Sequence, residues 1–358
     1  MSSVLVIKTG ALGDVLRTTS VLPGLARRDP GLELVWVVAP AAKDLVAGHP
    51  LVARVVAADP ARDGFVDDVL AELGGRSFDR VLSFDDERPT CRLAARVAAR
   101  GGGVASISGA YEDEEGVLRY TPDVAPWFDM GLLSVHGKER ADELKKQNRA
   151  SHPRLFADML GVEMGEPRLD LAPEAEAFAR AFREARGMDD GRAWIGLNTG
   201  AGGRWESKKL SVERTVELAV AVDRAADLPV GFLLLGGPDE RERNAAIHAG
   251  LEGRVRVESA GNDLTLPRFA AVVDGLDVLV TSDSLALHVG VARRVPTVCF
   301  FAPTSAAEIE LYGRGTKVAS TSADACSYRP DADTSTLTVE RLLPAVLSWL
   351  GGDSRRRG

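Results

Sequence analysis

The segment VLVIKTGALGD, residues 4–14, joins a short apolar run to a glycine-containing turn. Residues 4–8 are almost continuously apolar, which is typical of a strand buried on both faces of a parallel sheet. The turn leads into a helical pattern over about residues 15–28, which ends before an Asp-Pro-Gly stop signal. The chain therefore begins with a βα unit, from which parallel α/β sheets are built.

The same alternation of strand and helix continues through the rest of the chain. In the first half, short apolar runs predict further strands at residues 34–38, 80–84 and 104–107. In the second half, they predict strands at residues 193–197, 230–235, 254–258, 278–281 and 297–301. Helical patterns separate these runs, so both halves are predicted to be Rossmann-like α/β domains with mostly parallel sheets.

The length of the chain also favours two domains. It has 358 residues, and a single hydrophobic core rarely grows beyond about 250 to 300 residues. We predict four segments: residues 1–172 for the first domain, 173–191 for a linker with an amphipathic helix, 192–338 for the second domain and 339–358 for a final amphipathic helix. In a two-lobed protein that last helix could cross back to the first domain, and the sequence leaves this open.

Composition and charge exclude several classes of protein. The net charge is -8 and the cationic residues are scattered, which argues against a nucleic-acid partner. The cysteines Cys91, Cys299 and Cys326 lie far apart and form neither a disulfide framework nor a metal-binding pair. With no secretory signal and no long apolar run, these features predict a cytoplasmic protein. Peripheral membrane contact stays open for a lipid-linked acceptor.

One region of the first half, residues 111–148, has a less regular pattern. It contains the acidic run Glu-Asp-Glu-Glu at residues 112–115 and a charged string at residues 138–146. Such a region is typical of a solvated excursion, and the alternative is a lid over a binding site.

Ligands of open α/β sheets bind beyond the carboxyl ends of the strands, so polar residues that follow the apolar runs are candidate site residues. The first group is Gly13 and Asp14, where small residues allow close approach of a ligand. The alternative is that Asp14 caps or stabilises the first turn of the helix. The dinucleotide fingerprint GxGxxG is absent, so this turn is not predicted to bind a dinucleotide.

The second group follows the predicted strand at residues 193–197. The loop at residues 198–204 contains Thr199, Gly202 and Gly203, and it is rich in backbone N–H donors. Such a loop suits a diphosphate, with Lys208 just beyond it to neutralise a leaving pyrophosphate. A plain glycine-rich surface turn is the alternative.

Two further groups lie at later strand ends. Glu240 and Glu242 could accept hydrogen bonds from ribose hydroxyls, or they are acids of a first helical turn. The fourth group is at the start of the helix near residue 286, and its members are Asp283, Ser284, Leu285 and His288. Ser284 and His288 can share one helix face. A capping Asp283 and a core His288 are the alternative.

Taken together, the groups resemble glycosyltransferase family 9, the bacterial ADP-heptose heptosyltransferases and their relatives. VLVIKTGALGDVLRTTSVLPGL resembles the family's opening motif, and DVLVTSDSLALHVGVARRVPTVCFFAPTS resembles its second signature. By this resemblance Asp14 is the catalytic base, Lys208 binds phosphate, and Asp283 and His288 match the signature acid and histidine. Leu285 and Ala302 stand where the family has glycine, which narrows the expected donor pocket.

The resemblance implies the GT-B fold, in which two Rossmann-like domains face each other across a cleft. The acceptor would bind the N-terminal domain and the nucleotide sugar the C-terminal domain. It also implies an inverting, metal-independent enzyme that moves a sugar, heptose from ADP-heptose, to a hydroxyl of a saccharide or small molecule. The backbone N–H groups of Gly202 and Gly203, with Lys208 and Ser284, would meet the charge of the leaving diphosphate.

We predict no cofactor, no metal site and a monomer that acts in lipopolysaccharide biosynthesis, with a nucleotide sugar as substrate. Two alternatives remain: a nucleotide-sugar 2-epimerase of the same fold, and a catalytically silent protein that binds a sugar nucleotide. Acceptor contacts are assigned to Arg88 and Arg92, which recur at helical spacing with Arg96 and Arg100. A solvated helix face explains this spacing equally well.

Overall fold

The computed structural model describes residues 2–203 and 205–351. Arg204, which belongs to the predicted diphosphate loop, and the end of the predicted final segment lie outside the described residues. The chain divides into two compact units, Met1–Asp170 and Leu171–Gly358.

The first unit contains a six-stranded sheet with the order β3-β2-β1-β4-β5-β6. Its strands are β1 Ser3–Ile7, β2 Glu33–Val38, β3 Arg54–Ala57, β4 Arg80–Ser83, β5 Ile107–Glu112 and β6 Leu118–Tyr120. All neighbouring pairs are parallel except β5 and β6, which are antiparallel. The two central strands bury Leu5, Ile7 and Val81, which is why their sequences are almost continuously apolar.

The helices of the first unit are α1 Leu12–Thr18, α2 Leu22–Arg28, α3 Phe65–Glu72, α4 Arg88–Ala98, α5 Ala125–Phe128, α6 Lys138–Gln147 and α7 His152–Leu160. The single helix predicted over residues 15–28 is wrong, because a 3-10 turn, Thr19–Val21, separates α1 from α2. Pro23 is the physical reason: it has no N–H to donate and is tolerated only in the first turn of a helix, where α2 places it.

The predicted strand at residues 104–107 is also largely wrong. Residues Gly103–Ser106 form a 3-10 turn, and β5 begins only at Ile107. Gly103 has a φ of +64°, a left-handed conformation that is incompatible with an extended strand. The valine in this turn, Val104, is 49% exposed. An apolar residue at this position therefore does not indicate a buried strand.

The second unit repeats the architecture with a six-stranded sheet in the order β12-β11-β10-β7-β8-β9. Its strands, all parallel, are β7 Ala193–Asn198, β8 Val230–Leu235, β9 Val257–Ser259, β10 Val278–Ser282, β11 Thr297–Phe301 and β12 Gly315–Ala319. Numbered within each unit, both sheets have the strand order 3-2-1-4-5-6 of the Rossmann fold. The prediction of two Rossmann-like α/β domains is confirmed.

The helices of the second unit are α8 Pro173–Ala185, α9 Val212–Ala225, α10 Arg241–Leu251, α11 Leu266–Asp274, α12 Leu285–Ala292 and α13 Val339–Leu347. The helix expected in the linker is α8, and it packs against α11 as part of this unit. Leu342 and Val346 of α13 lie in the core of the second unit, and the Trp349 Nε1 donates to Thr316 Oγ1 at 2.9 Å. The described part of the final segment therefore packs on the second unit.

Within residues 2–203 and 205–351, no helix has both the length and the apolar character needed to cross a lipid bilayer.

Candidate active site

In each unit, the sheet changes winding direction between its first and fourth strands. In sheets of this order, the loops at the carboxyl ends of those two strands form the usual ligand site. In the first unit the relevant strands are β1 and β4, and in the second they are β7 and β10.

A buried ion pair joins the ends of β1 and β4. Lys8 Nζ lies 2.6 Å from Asp85 Oδ1, and both residues are more than nine-tenths buried. Asp85 Oδ2 also accepts hydrogen bonds from the Thr9 N–H at 2.5 Å and the Thr9 hydroxyl at 2.6 Å. Burial acts to lower the pKa of Lys8, but the carboxylates of Asp85 and Asp14 outweigh it and raise the pKa. This arrangement fixes the backbone that leads to Asp14.

Asp14 lies in the first turn of α1. The N-cap residue is Ala11, so the interpretation of Asp14 as a helix cap is wrong, although its charge still suits the first turn. The Asp14 Oδ1 is 3.0 Å from the Arg17 Nη2, and 36% of the Asp14 side chain is exposed. Gly13, the other predicted residue of this turn, is half-buried in the same helix. A ligand can therefore reach the carboxylate.

The predicted acceptor arginines have a protein partner. Arg88 and Arg92 lie at the start and middle of α4, and both bind the Glu112 carboxylate of β5. Hydrogen bonding from Arg92, opposed by burial and assisted by Arg88, lowers the pKa of Glu112. Each arginine side chain remains 51% exposed. The acidic run is thus part of the β5–β6 hairpin, and its first residue, Glu112, offsets part of the charge of these arginines.

In the second unit, Asn198 joins the ends of β7 and β10. Its Nδ2 donates to Gly200 O at 2.7 Å, to Thr281 Oγ1 at 3.0 Å and to Ser284 Oγ at 3.2 Å. Ser284 is the N-cap residue of α12, so the interpretation of Asp283 as that cap is wrong. The predicted loop and the predicted helix start therefore lie side by side.

Lys208, Asp283 and His288 meet at the same edge. Lys208 Nζ donates to the Asp283 carbonyl oxygen at 2.9 Å and lies 3.2 Å from Asp283 Oδ2. His288 Nε2 is 3.8 Å from Asp283 Oδ1, and His288 is buried. The neighbouring Lys209 instead binds Glu206 at 2.7 Å. Of the two lysines, Lys208 is the one directed toward the predicted site.

Glu240 lies against the loop that follows β7, whereas Glu242 does not. Glu240 is 3% exposed, and its Oε2 accepts a hydrogen bond from the Gly237 N–H at 2.9 Å. Its Oε1 is buried and has no hydrogen-bond partner among the described residues. A Cβ on Gly200 would lie 2.0 Å from the Glu240 Cδ, so the loop and this carboxylate are in close contact. Glu242 is exposed in the first turn of α10.

Thr199 holds the loop that follows β7 in place through two hydrogen bonds. Its hydroxyl donates to the Asn244 Oδ1, and its carbonyl oxygen accepts from the Arg243 Nε at 3.0 Å. Burial lowers the pKa of Arg243, and Glu206 and Glu240 partly offset this. The next part of the loop, Gly202 and Gly203, is exposed. Leu285, the residue in place of the family's glycine, is half-buried in the first turn of α12, and Ala302 is buried.

Three residues at these edges were not predicted from the sequence as site residues: Arg17, Asp85 and Asn244. Asn198 belonged to the predicted loop at residues 198–204, without a role of its own. Asp85 directly follows the strand predicted at residues 80–84, so the rule that selected Asp14 and Asp283 also applies to it. Arg17 and Asn244 lie within helices, where no local pattern separates them from ordinary polar residues.

Comparison with known proteins places this geometry in a family. The model of glycosyltransferase family 9 (heptosyltransferase) matches residues 140–336, more than half of the chain. Lipopolysaccharide heptosyltransferase 1 of Pseudomonas aeruginosa is 26% identical over 322 residues, which span 87% of this chain and 81% of that protein.

Two solved structures have the same fold. The family 9 glycosyltransferase of Veillonella parvula has a TM-score of 0.77 and 17% identity, with 97% of each chain covered. The E. coli ADP-heptose lipopolysaccharide heptosyltransferase II has a TM-score of 0.67 and 16% identity, with 98% of each chain covered. The two Rossmann-like units thus form the GT-B fold, and the protein is a glycosyltransferase. The chain belongs to glycosyltransferase family 9, the heptosyltransferase family.

Proposed function

We propose that the protein is an inverting, metal-independent transferase that moves heptose from ADP-heptose to a hydroxyl of a saccharide or small-molecule acceptor. The observation that carries this proposal is the convergence of Lys208, Asp283 and His288 beside Ser284, at the winding-reversal point of the second sheet. The names of two relatives, which include lipopolysaccharide heptosyltransferase and ADP-heptose, support the choice of donor.

The nucleotide would occupy the second unit. The buried Glu240 Oε1 has no hydrogen-bond partner among the described residues, and a buried acceptor of this kind gains most from a hydroxyl donor such as ribose. The exposed N–H groups around Gly202 and Gly203 suit the phosphates, as does the start of α12. Lys208 would exchange part of its contact with Asp283 for the diphosphate.

The reaction would need a base, which we assign to Asp14. The acceptor oxygen forms a bond to the anomeric carbon while the bond from that carbon to the diphosphate oxygen breaks. The acceptor proton passes to the Asp14 carboxylate, and the released electron pair leaves on ADP. Attack from the face opposite the leaving group inverts the anomeric configuration. Lys208 and the loop N–H groups would stabilise the negative charge on the diphosphate, which is the task a metal performs in other transferases.

We assign the acceptor to the first unit because Asp14 is there, and Arg88 and Arg92 would contact it only through the faces left exposed beside Glu112. Lipopolysaccharide is an acceptor class suggested by the relatives' names. Cys91, Cys299 and Cys326 form no disulfide with one another in the described part of the chain, which suits the reducing cytoplasm.

The test is the release of ADP from ADP-heptose, with lipopolysaccharide truncated before its first heptose, or with a panel of small sugars, as acceptor. We expect release that depends on acceptor, and a product whose anomeric configuration, read by NMR, is inverted. Asp14→Asn should lower kcat by about 10²- to 10⁴-fold, since a general base contributes that much. Asp158→Asn, which removes an exposed helix-surface carboxylate, is the matched control and should have wild-type activity.

Three results would contradict the proposal. Full activity of Asp14→Asn would remove the assigned base. Conversion of the sugar at C2 without transfer would favour the 2-epimerase. Tight binding of ADP-heptose with neither transfer nor hydrolysis would favour a silent binding protein, in which Leu285 blocks the chemistry.

A further inference from the structure

Asp14 has a partially buried cationic partner on its own helix. The Arg17 guanidinium lies three residues later, with its Nη2 3.0 Å from Asp14 Oδ1. The Arg17 side chain is only 11% exposed, whereas that of Asp14 is 36% exposed. Exposed ion pairs contribute little because both side chains move freely. Here the cation is held by its surroundings, and the carboxylate is the exposed member of the pair.

An aromatic cluster from a distant part of the chain holds that cation. The Arg17 Cζ is 5.4 Å from the centroid of the Trp127 ring, which lies in α5. Trp127 in turn makes edge contacts with His152 at 5.0 Å and Phe156 at 5.4 Å, between ring centroids. Phe156 packs on Phe84, at the end of β4, with centroids 4.8 Å apart. A guanidinium over an aromatic face is attracted by the ring's electrons, so Trp127 provides a rigid platform.

The orientation in which Arg17 contacts Asp14 and Trp127 leaves one of its own N–H groups without a hydrogen bond. Its Nε is buried and has no hydrogen-bond acceptor among the described residues. A buried donor without an acceptor destabilises a fold. An arginine that served only to stabilise α1 could turn this N–H to solvent. The observed orientation instead favours the contact between Nη2 and Asp14.

A second cation, Lys8, is also near Asp14 and interacts with it electrostatically. Lys8 is however bound to Asp85 at 2.6 Å, in a pair that is nearly inaccessible to solvent. Lys8 therefore contributes a positive potential, while Arg17 makes the direct contact with Asp14. Arg17 lies in the stretch that resembles the family's opening motif, and that resemblance assigns it no role.

We infer that Arg17 is a positioning residue, held by Trp127, that fixes the orientation of the Asp14 carboxylate for proton abstraction. This inference rests on the proposed role of Asp14 as base. A base must lie within hydrogen-bond reach of the proton it removes, and displacement by about 1 Å can cost about 100-fold in rate. Fixing the carboxylate from its Oδ1 side limits such displacement without requiring contact between Arg17 and either substrate.

The experiment compares Arg17→Ala, Arg17→Lys and the control Arg154→Ala in the ADP-release assay. Arg154 forms an exposed pair with Asp158 on α7, so its removal reports the loss of an ordinary helix-surface arginine. We expect Arg17→Ala to lower kcat by about 10- to 100-fold and to change the KM for ADP-heptose by less than about twofold, because positioning acts on the chemical step. Arg17→Lys should retain an intermediate rate, and Arg154→Ala the wild-type rate.

Chemical rescue separates positioning from folding. Guanidinium chloride, at concentrations far below those that unfold proteins, should raise the rate of Arg17→Ala several-fold, because the ion can occupy the vacated place beside Trp127. It should not raise the rate of Asp14→Asn. Trp127→Leu should lower kcat and Trp127→Phe should not, since phenylalanine keeps a ring under the guanidinium. These two variants give a second test if Arg17→Ala does not fold.

Wild-type kcat in Arg17→Ala overturns the inference, and so does a reduced rate that guanidinium does not restore while the thermal unfolding temperature falls. The second result would identify a purely structural arginine. Activity of Asp14→Asn would instead overturn the proposed function, whatever the behaviour of Arg17. The two failures are therefore distinguishable.

Discussion

At the scale of single residues, the interior of the first unit contains charged groups whose partners come from distant parts of the sequence. Lys8 and Asp85 are separated by 77 positions in the chain and form a pair at 2.6 Å. Removing one member of such a buried pair typically costs about 3–5 kcal/mol, because it leaves the other charge uncompensated. The strand pattern predicted that both residues lie at strand ends. It could not predict the pair, because the pairing of β1 with β4 is a property of the folded sheet.

His49 should make the free energy of unfolding of the first unit depend on pH. It is buried, its Nδ1 accepts a hydrogen bond from the Leu51 N–H at 3.2 Å, and its Nε2 has no hydrogen-bond partner in the described part of the chain. Burial lowers the pKa of His49 to about 4, and Asp170 only partly offsets this. Between pH 6.5 and 4 the unfolded chain therefore binds a proton that the folded chain does not. The free energy of unfolding should fall as the pH drops through this window.

We expect His49→Asn to reduce this loss, since asparagine keeps an acceptor near the position of Nδ1 and does not titrate. The contribution of His49 is on the order of 3 kcal/mol over the full window, from about 1.4 kcal/mol for each pH unit. Urea unfolding of the wild type and His49→Asn at pH 7 and pH 4.5 measures the loss in the free energy of unfolding between these pH values. If the wild type and His49→Asn lose the same free energy between the two pH values, the assignment to His49 is wrong.

At the scale of elements, the sequence predicted most of the inner strands and missed three of the four edge strands in the two described sheets. The strands β1, β4, β7, β8, β10 and β11 match apolar runs because they are covered on both faces. The three strands that were not predicted, β3, β6 and β12, are all edge strands with exposed or half-buried residues. An edge strand lacks the continuous apolar run on which the prediction depends.

The loop after β7 depends on a small residue at one position. A Cβ on Gly200 would lie 2.0 Å from the Glu240 Cδ, so Gly200→Ala must displace this carboxylate. We expect the substitution to weaken ADP binding by more than about tenfold and to leave the far-ultraviolet circular dichroism unchanged. At Gly275, which follows α11, an added Cβ would meet its nearest atoms, in Arg183 and Val272, at 3.5 Å. Gly275→Ala is therefore the matched control, and equal losses of affinity in both variants would refute the proposed role of Glu240.

At the scale of the whole molecule, the chain consists of two units with separate hydrophobic cores, centred on different sheets. The repeat of the strand and helix pattern was sufficient to predict this division, and the strand-end rule selected Asp14, Thr199 and Asp283 as candidates, which stay predictions. The rule missed partners that helices contribute, such as Arg17 and Asn244, and it did not predict that Glu112 would bind Arg88 and Arg92. Those contacts depend on how helices and hairpins pack against the sheets, which the spacing of residues along the chain does not specify.

If the nucleotide binds only the second unit, ADP should stabilise that unit selectively. At about 100 times its Kd, a ligand adds about 2.7 kcal/mol to the stability of the unit that binds it. Differential scanning calorimetry should then show one transition raised by roughly 5–10 °C while the other is unchanged. Lys208→Ala should reduce this shift. Equal shifts of both transitions would contradict a nucleotide site confined to the second unit.

Isothermal titration with ADP, UDP, GDP and dTDP tests whether Lys208 and its neighbours bind the diphosphate of an ADP-sugar. We predict that the wild-type protein binds ADP most tightly, that Lys208→Ala weakens ADP binding by about tenfold or more, and that Asp14→Asn and Lys209→Ala leave it unchanged. Preferential binding of UDP would contradict an ADP-sugar donor, and an ADP affinity that Lys208→Ala does not alter would contradict the diphosphate-binding role of Lys208.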